Sequence, residues 1–347
     1  MRVEFGYRAV EEQYQPSRLL EFAVLAEKQG FDFVCISDHF HPWFHEGGCA
    51  GHAWIWIGAA GAKTKRVRLG TGVTVPIYRY HPAIIAQAFA TLGELYPGRI
   101  FLGLGTGEAM NEVPLGFRWP PFKERAERLE EAIRIIKSLW EGEFITFKGK
   151  YFKLRDARLY TKPRKRVPIY IAASGPTVAK MTGKYGDAFM TAASEEEDVY
   201  RMLFSALAEG AKEMGRSVEE IPRMVELKIS YDEDYERALN SLTIWRVTRV
   251  SNIIGKSIHD PRELDELGRQ VDLKELSKWV CTDMEHCIRL VEESIKAGFN
   301  EVQVGSSSPN EEAFILKFGK EALPYLREQY SSRHTKQETH NFGGPGK

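Results

Sequence analysis

Short apolar runs rich in Val, Ile and Phe alternate along this chain with longer stretches in which apolar residues recur every three or four positions. That is the pattern of repeated βα units around a parallel sheet. It predicts eight strands, at Val3–Tyr7, Phe31–Ser37, Val67–Val73, Ile100–Gly105, Pro168–Ala173, Asp187–Ala192, Arg223–Ser230 and Glu301–Gly305, each leading to a helix. Eight such units close on themselves, so the fold class expected is α/β, a (β/α)8 TIM barrel. Two helices are well signposted. One starts with Ser17 as its expected cap, carries Leu19, Phe22, Leu25 and Ala26 on one face, and ends at Gly30 with Lys28 in its last turn. The other spans Lys123–Trp140, where Phe122, Ala126, Leu129, Ile133, Ile136 and Trp140 form a stripe that packs on a barrel wall.

Two segments break the rhythm, one after the fourth strand and one after the seventh. Glu143–Leu154 (EFITFKGKYFKL) reads as a hairpin turning at Lys148-Gly149-Lys150, and a basic loop, Lys162 to Arg166, completes an insertion over 143–166. From 248 to 282 a mixed polar stretch replaces the βα pattern; long insertions of this kind cover active-site mouths. The organisation expected is one domain over 1–330, followed by a polar, Gly-rich disordered tail over 331–347.

Composition adds mainly exclusions. With 347 residues and 43% hydrophobic content a sizeable core can be buried. Lys plus Arg (48) balances Asp plus Glu (48), so no net field recruits nucleic acid or an anionic membrane. No apolar span is long enough to cross a bilayer, which makes cytoplasm the expected location. The four cysteines, Cys35, Cys49, Cys281 and Cys287, form no CxxC pair and read as reduced packing residues.

In a β/α barrel the loops after the strands converge on one mouth, so strand ends name the candidates for chemistry. The second strand delivers Ser37-Asp38-His39-Phe40-His41-Pro42-Trp43, the third Thr74-Val75-Pro76, the fourth Thr106-Gly107-Glu108-Ala109-Met110-Asn111, and the fifth Ser174-Gly175-Pro176-Thr177. His39 suits a general base, because a neutral imidazole accepts a proton near pH 7; a structural His–Asp pair is the alternative. Glu108 follows Gly103-Leu104-Gly105-Thr106-Gly107, where the backbone can approach a flat ligand. It falls where a dinucleotide fingerprint needs its third glycine, so that fold is excluded; the carboxyl either exchanges a proton or caps a helix. Ser174 to Val178 opens a helix with proline in its first turn, an anion site suited to a cofactor phosphate. The cluster His39, His41, His45 and His52 lacks metal-ligand spacing, and no metal is expected.

The segments SDHFHPW (Ser37–Trp43), YRYHPAIIAQAFATLGELYPGR (Tyr78–Arg99) and LGLGTGEAMNEVP (Leu102–Pro114), with ISYD at Ile229–Asp232, resemble the deazaflavin-dependent dehydrogenases of the bacterial-luciferase-like superfamily. Two branches using coenzyme F420 are similar, secondary alcohol dehydrogenase and glucose-6-phosphate dehydrogenase. The resemblance implies a luciferase-like barrel, a homodimer, and a deazaflavin along the strand ends. It implies that His39 takes the hydroxyl proton as the carbinol hydride passes to C5, that Glu108 serves the cofactor's N1 side, and that Trp43 flanks the reacting centre. Asp38, Thr106, Asn111, Ser174, Gly175, Thr177 and Val178 would line the cofactor. Gly72 and Val73 match the family's non-prolyl cis peptide, and Val75 stands where the sugar-phosphate branch carries threonine. Around the substrate stand Ala192 and the positions that hold phosphate in that branch: here Glu195, then Gly255 or Lys256, and Lys278. A glutamate beside a phosphate costs affinity, so the substrate expected is a small alcohol or unphosphorylated polyol, with a sugar phosphate as the alternative. A monooxygenase using flavin mononucleotide (FMN) on the same fold is a further alternative.

Overall fold

The computed structural model describes residues 2–331; the tail expected beyond Ser331 lies outside the described residues. Eight parallel strands close the barrel: β1 (Glu4–Ala9), β2 (Phe33–Ile36), β3 (Arg68–Thr71), β4 (Ile100–Leu104), and then, past a hairpin of β5 (Ile145–Lys148) and β6 (Lys153–Ala157), β7 (Ile169–Ala172), β8 (Ala188–Ala192) and β9 (Arg223–Tyr231). A two-residue strand, β10 (Val280–Cys281), pairs on β9, and β11 (Glu301–Ser306) is the eighth barrel strand. Hydrogen-bonded neighbours run β9-β11-β1-β2-β3-β4-β7-β8, and β8 closes on β9 through Phe189 with Arg223 and Met190 with Met224. The architecture is the TIM barrel, with the hairpin inserted after the fourth barrel strand and a largely helical segment after the seventh.

The helices that matter below are α1 (Pro16–Gln29), α2 (Ala53–Lys63), α3 (Pro82–Leu95), α4 (Phe122–Glu141), α5 (Pro176–Tyr185) and α6 (Glu197–Glu213). The cap expected at Ser17 is not formed. α1 starts two residues earlier because Pro16, with φ already fixed and no N–H to satisfy, takes the first turn, leaving Gln15 at the cap position. Its end is as expected, with Gly30 at φ 95°. In α4 the buried stripe runs through Ala126, Leu129, Ile133 and Ile136, each larger side chain contributing about 1.5–3 kcal/mol by leaving water. Phe122, at the helix start, is instead 45% exposed. The helical insertion starts before the expected 248: a 3-10 helix (Leu242–Arg249), a short α-helix (Pro261–Gly268) and a second 3-10 helix (Leu273–Trp279) bury Trp245, Leu264 and Trp279 in the core. Its apolar residues are spaced for short helices, too short to give a readable period.

Inside the barrel the side chains stack in layers. At the bottom Arg68 reaches Tyr170 Oη at 2.9 Å and Glu301 Oε1 at 3.1 Å, and pairs with Glu4. Above it Phe33, Phe101 and Met224 fill the lumen. Glycines opposite make the room, since a Cβ at Gly6 would stand 2.0 Å from the Phe33 ring and one at Gly70 would stand 2.3 Å from the Phe101 ring. The top layer is different: Arg8, Glu226 and Lys228 line the floor of an open cavity.

Candidate active site

The cavity at the C-terminal ends of the strands has a volume of about 340 Å3, and His39, Trp43, Glu108, Thr106 and Ser174 all face it. Its hydrogen-bonded centre is Asn111. The side-chain oxygen of Asn111 accepts from Phe40 N (2.8 Å), while Nδ2 donates to Glu108 Oε2 (3.2 Å) and lies 3.2 Å from His39 Nδ1. Because Phe40 N–H can only donate, the amide oxygen must face it and the NH2 must face the imidazole. Nδ1 is therefore the acceptor, and the neutral ring carries its proton on Nε2. That nitrogen points to Glu12, whose Oε1 lies 3.4 Å away and whose Oε2 accepts from Ser37 Oγ at 3.2 Å. Trp43 meets the His39 ring edge-on at 6.4 Å between centroids. Glu108 does not cap the short 3-10 turn that follows it; its carboxyl is turned to Asn111 instead.

A second set of bonds anchors this centre from behind. Arg79 Nη2 donates to the Asp38 carbonyl (2.7 Å) and to Asp38 Oδ1 (3.1 Å), Arg79 N donates to Glu112 Oε2 (2.8 Å), and Thr74 Oγ1 donates to Asp38 Oδ2 (2.6 Å). The loops after β2 and β4 are thus tied to one residue of the loop after β3, Arg79, through its guanidinium and its backbone N–H respectively. Burial pushes the Glu112 carboxyl up to about 7, against the opposing pull of Arg79. Glu11, which accepts from His39 N at 2.7 Å, is also pushed well above the carboxylate range by burial and by Glu12.

One wall of the cavity is built from small residues, Gly72, Val73, Gly105, Gly107, Ala172 and Ala173, facing His39 and Glu108. The Gly72–Val73 peptide is cis. At Gly107 the backbone has φ 75°, and a Cβ there would meet Val75 Cγ1 at 2.5 Å, so this strand end admits only glycine. Past Thr106, Ser174 and Ile254 the cavity opens into a cleft of about 600 Å3 lined by Trp119, Arg125 and Ser257. Arg125 is 4% exposed, donates to the carbonyls of Thr106 and Gly107, and leaves Nε buried without a partner. A flat wall of small residues that runs into a cleft with a cation suits a planar ring carrying an anionic tail.

The expected residues divide. His39, Trp43, Gly72, Val73, Glu108, Thr106, Ser174 and Ala192 line the cavity. Asn111 organises it. Asp38 and Val75 are each 1% exposed and stand behind it, Asp38 as the acceptor for Arg79 and Thr74 and Val75 as the support for Gly107. Gly175 is the cap position of α5 and Thr177 lies in its exposed first turn, whereas Val178 is packed in the core. Glu195 pairs with Arg249 and, with Lys278, lines a hollow of about 500 Å3 beside α6 that adjoins the cavity at Ser194; Lys278 lies 3.5 Å from Glu293, and Lys256 is exposed. The histidines do not gather: His41 Nδ1 sits 3.0 Å from His259 O and His52 Nε2 lies 3.3 Å from Tyr80 Oη. Arg8, Glu12, Glu226 and Lys228 were not anticipated. The strand-end rule applied to β1 finds Glu12, and two charges at alternate positions in the apolar run MVELKISY mark Glu226 and Lys228 as lumenal.

The family model for luciferase-like monooxygenases matches residues 3–301. The chain is 41% identical over 332 residues to an F420-dependent glucose-6-phosphate dehydrogenase of Microbacterium testaceum (strain StLB037), spanning 95% of this chain and 99% of that one. It is 43% identical over 330 residues to the enzyme of that name from Mycolicibacterium fortuitum, with 94% and 98% covered. Among solved structures it resembles an F420-dependent secondary alcohol dehydrogenase in complex with an F420–acetone adduct, with 40% identity, a TM-score of 0.89, and 92% and 98% of the two chains covered.

The Glu112 carboxyl gives this framework a pH signature. Its folded pKa of about 7 lies above the ordinary 4.5, so its contribution to stability is complete below about pH 4.5 and is lost as pH rises through about 7. Urea-unfolding free energies are expected to lose on the order of 3 kcal/mol from this group across that window. Glu112→Gln is expected to remove that part of the slope; an identical slope in the variant contradicts the assignment.

Proposed function

The chain belongs to the luciferase-like monooxygenase family, and on that premise we propose that it is a coenzyme F420-dependent dehydrogenase oxidising the CH–OH group of a small alcohol or polyol. The observation that carries the reading is the His39–Asn111–Glu108 bridge facing a flat wall of small residues. Gly72, Val73, Thr106 and Gly107 would support the ring, and Ser174, the start of α5 and Arg125 would receive the phosphate-bearing tail. When bound, the deazaflavin supplies a hydride acceptor at C5.

The residues do the rest. Trp43 and His39 would hold the substrate, with its hydroxyl between His39 Nε2 and the Glu12 carboxylate. Glu12, steadied by Ser37, would take the hydroxyl proton, while His39 Nε2–H would donate to the hydroxyl oxygen and hold it in place. Glu108, held by Asn111, would exchange a proton with the cofactor at its N1 side. A sugar phosphate is the second reading, favoured by the names of relatives at 41% and 43% identity.

The same reading takes the enzyme as a homodimer in the cytoplasm, where its four free thiols stay reduced. No helix among the described residues is long and apolar enough to cross a membrane. Support for the dimer comes from α2 and α3, which pack side by side through Tyr96 Oη to Gly58 O (2.7 Å). Ile55, Ala59 and Ala62 on α2, with Ile84 and Leu95 on α3, present an apolar outer face; Ile55 is 73% exposed.

Two measurements test the proposal. Anaerobic addition of isopropanol, glucose or glucose 6-phosphate to the protein with oxidised F420 is expected to bleach the deazaflavin's visible band. His39→Ala is expected to slow bleaching about 100- to 10,000-fold while cofactor affinity stays within about threefold. Oxygen consumption with reduced FMN and no F420 bleaching by any substrate contradicts it. For the dimer, Ile84→Arg is expected to halve the mass in light scattering; an unchanged mass removes the α2–α3 face as the interface.

A further inference from the structure

Lys228 lies on the floor of the cavity that holds His39, Trp43 and Glu108, and the mechanism above leaves it without a task. It points inward because β9 alternates: Glu226 and Lys228, two apart, face the lumen, while Leu227 between them is buried in the outer core. Its neighbour across the ladder is Gly305 of β11, which offers no side chain to cover it. Burial lowers its pKa against the raising effect of Glu226, and it also feels the carboxylates of Glu12 and Glu108, so the ammonium sits close to the reacting groups.

The partners of Lys228 leave it underused. Its ion pair with Glu226 Oε1 spans 3.8 Å, beyond hydrogen-bond reach, and that same oxygen is already held by Arg8 Nε at 2.6 Å. The Trp245 ring lies 4.6 Å from the Lys228 nitrogen and 5.0 Å from the Arg8 guanidinium carbon, so one aromatic ring steadies both cations. An ammonium with three donors is thus held at the cavity floor by a long ion pair and a π-face.

Resting on the F420-dehydrogenase reading, we propose that Lys228 donates to a second hydroxyl of the substrate, which makes the substrate a polyol or sugar rather than a monohydric alcohol. The charges around it favour a neutral oxygen. Glu12, Glu108 and Glu226 outnumber Arg8 and Lys228 in the cavity, and a phosphate dianion there would face three carboxylates. A monohydric alcohol would leave the half-buried ammonium to water alone on its substrate side, the arrangement by which a polar site disfavours an analogue lacking one hydroxyl.

The test compares wild type, Lys228→Met and Lys228→Gln, each with F420 under anaerobic conditions, by kcat and KM for isopropanol, glucose and glucose 6-phosphate. The wild type is expected to prefer glucose to isopropanol in kcat/KM. Lys228→Met is expected to cut that preference about 10- to 100-fold, mainly through KM, with F420 affinity by fluorescence within about threefold of wild type. If Lys228→Met fails to fold, Lys228→Gln carries the same comparison. An unchanged preference overturns the proposal, as does a loss confined to glucose 6-phosphate, which would make the phosphate the group recognised. A wild type that oxidises isopropanol but neither sugar overturns it while leaving the dehydrogenase reading standing. A wild type inactive with all three removes the dehydrogenase reading, and this proposal with it.

Discussion

The amide of Asn111 is the constraint on which the site rests. A single side chain accepts from the backbone after β2 and donates to the carboxyl after β4, so the imidazole and Glu108 cannot move independently. A backbone N–H that has only one thing to offer fixes the amide, the amide makes Nδ1 of His39 an acceptor, and Nε2–H is thereby aimed at Glu12. Arg79 repeats the arrangement one layer back, gathering Asp38 and Glu112 from the same two loops. Each bond contributes only about 1 kcal/mol, or somewhat more where a charge is involved, yet together they join three loops into one hydrogen-bonded wall.

That wall stands on a filled barrel. The Arg68 network and the Phe33–Phe101–Met224 layer occupy the lower lumen, and the glycines opposite the aromatic rings leave no space there for a ligand. Only the top layer is open, because Arg8, Glu226 and Lys228 are long, charged and held by one another and by Trp245 instead of by apolar packing. Trp245 comes from the helical segment after β9, as does Ile254 at the boundary between the cavity and the adjoining cleft. The insertion thus shapes the site from both below and above.

The barrel was legible because each strand is an apolar run and each long helix a clean stripe; α4 is the clearest case. The short helices over 242–279 were not, since two turns do not make a period. His39, Trp43 and Glu108 were legible from their places after strands. Glu12 obeys the same rule but sits four residues before a proline-led helix, in a stretch that reads as a linker. Lys228 and Glu226 look like errors in an apolar strand until closure of the barrel turns them inward. Asp38 and Val75 are in the neighbourhood expected but are buried at the wall of the cavity, a depth that sequence does not give because it does not say which face of a loop looks at the cavity.

The most direct measurement of the central claim is the turnover of Asn111→Leu, which keeps the side chain's size and removes its amide, in the wild-type and His39→Ala backgrounds. If the amide acts by positioning the imidazole, the substitution slows F420 reduction by about 30-fold or more in the first background and by less than about threefold in the second. Equal losses in both would contradict the account.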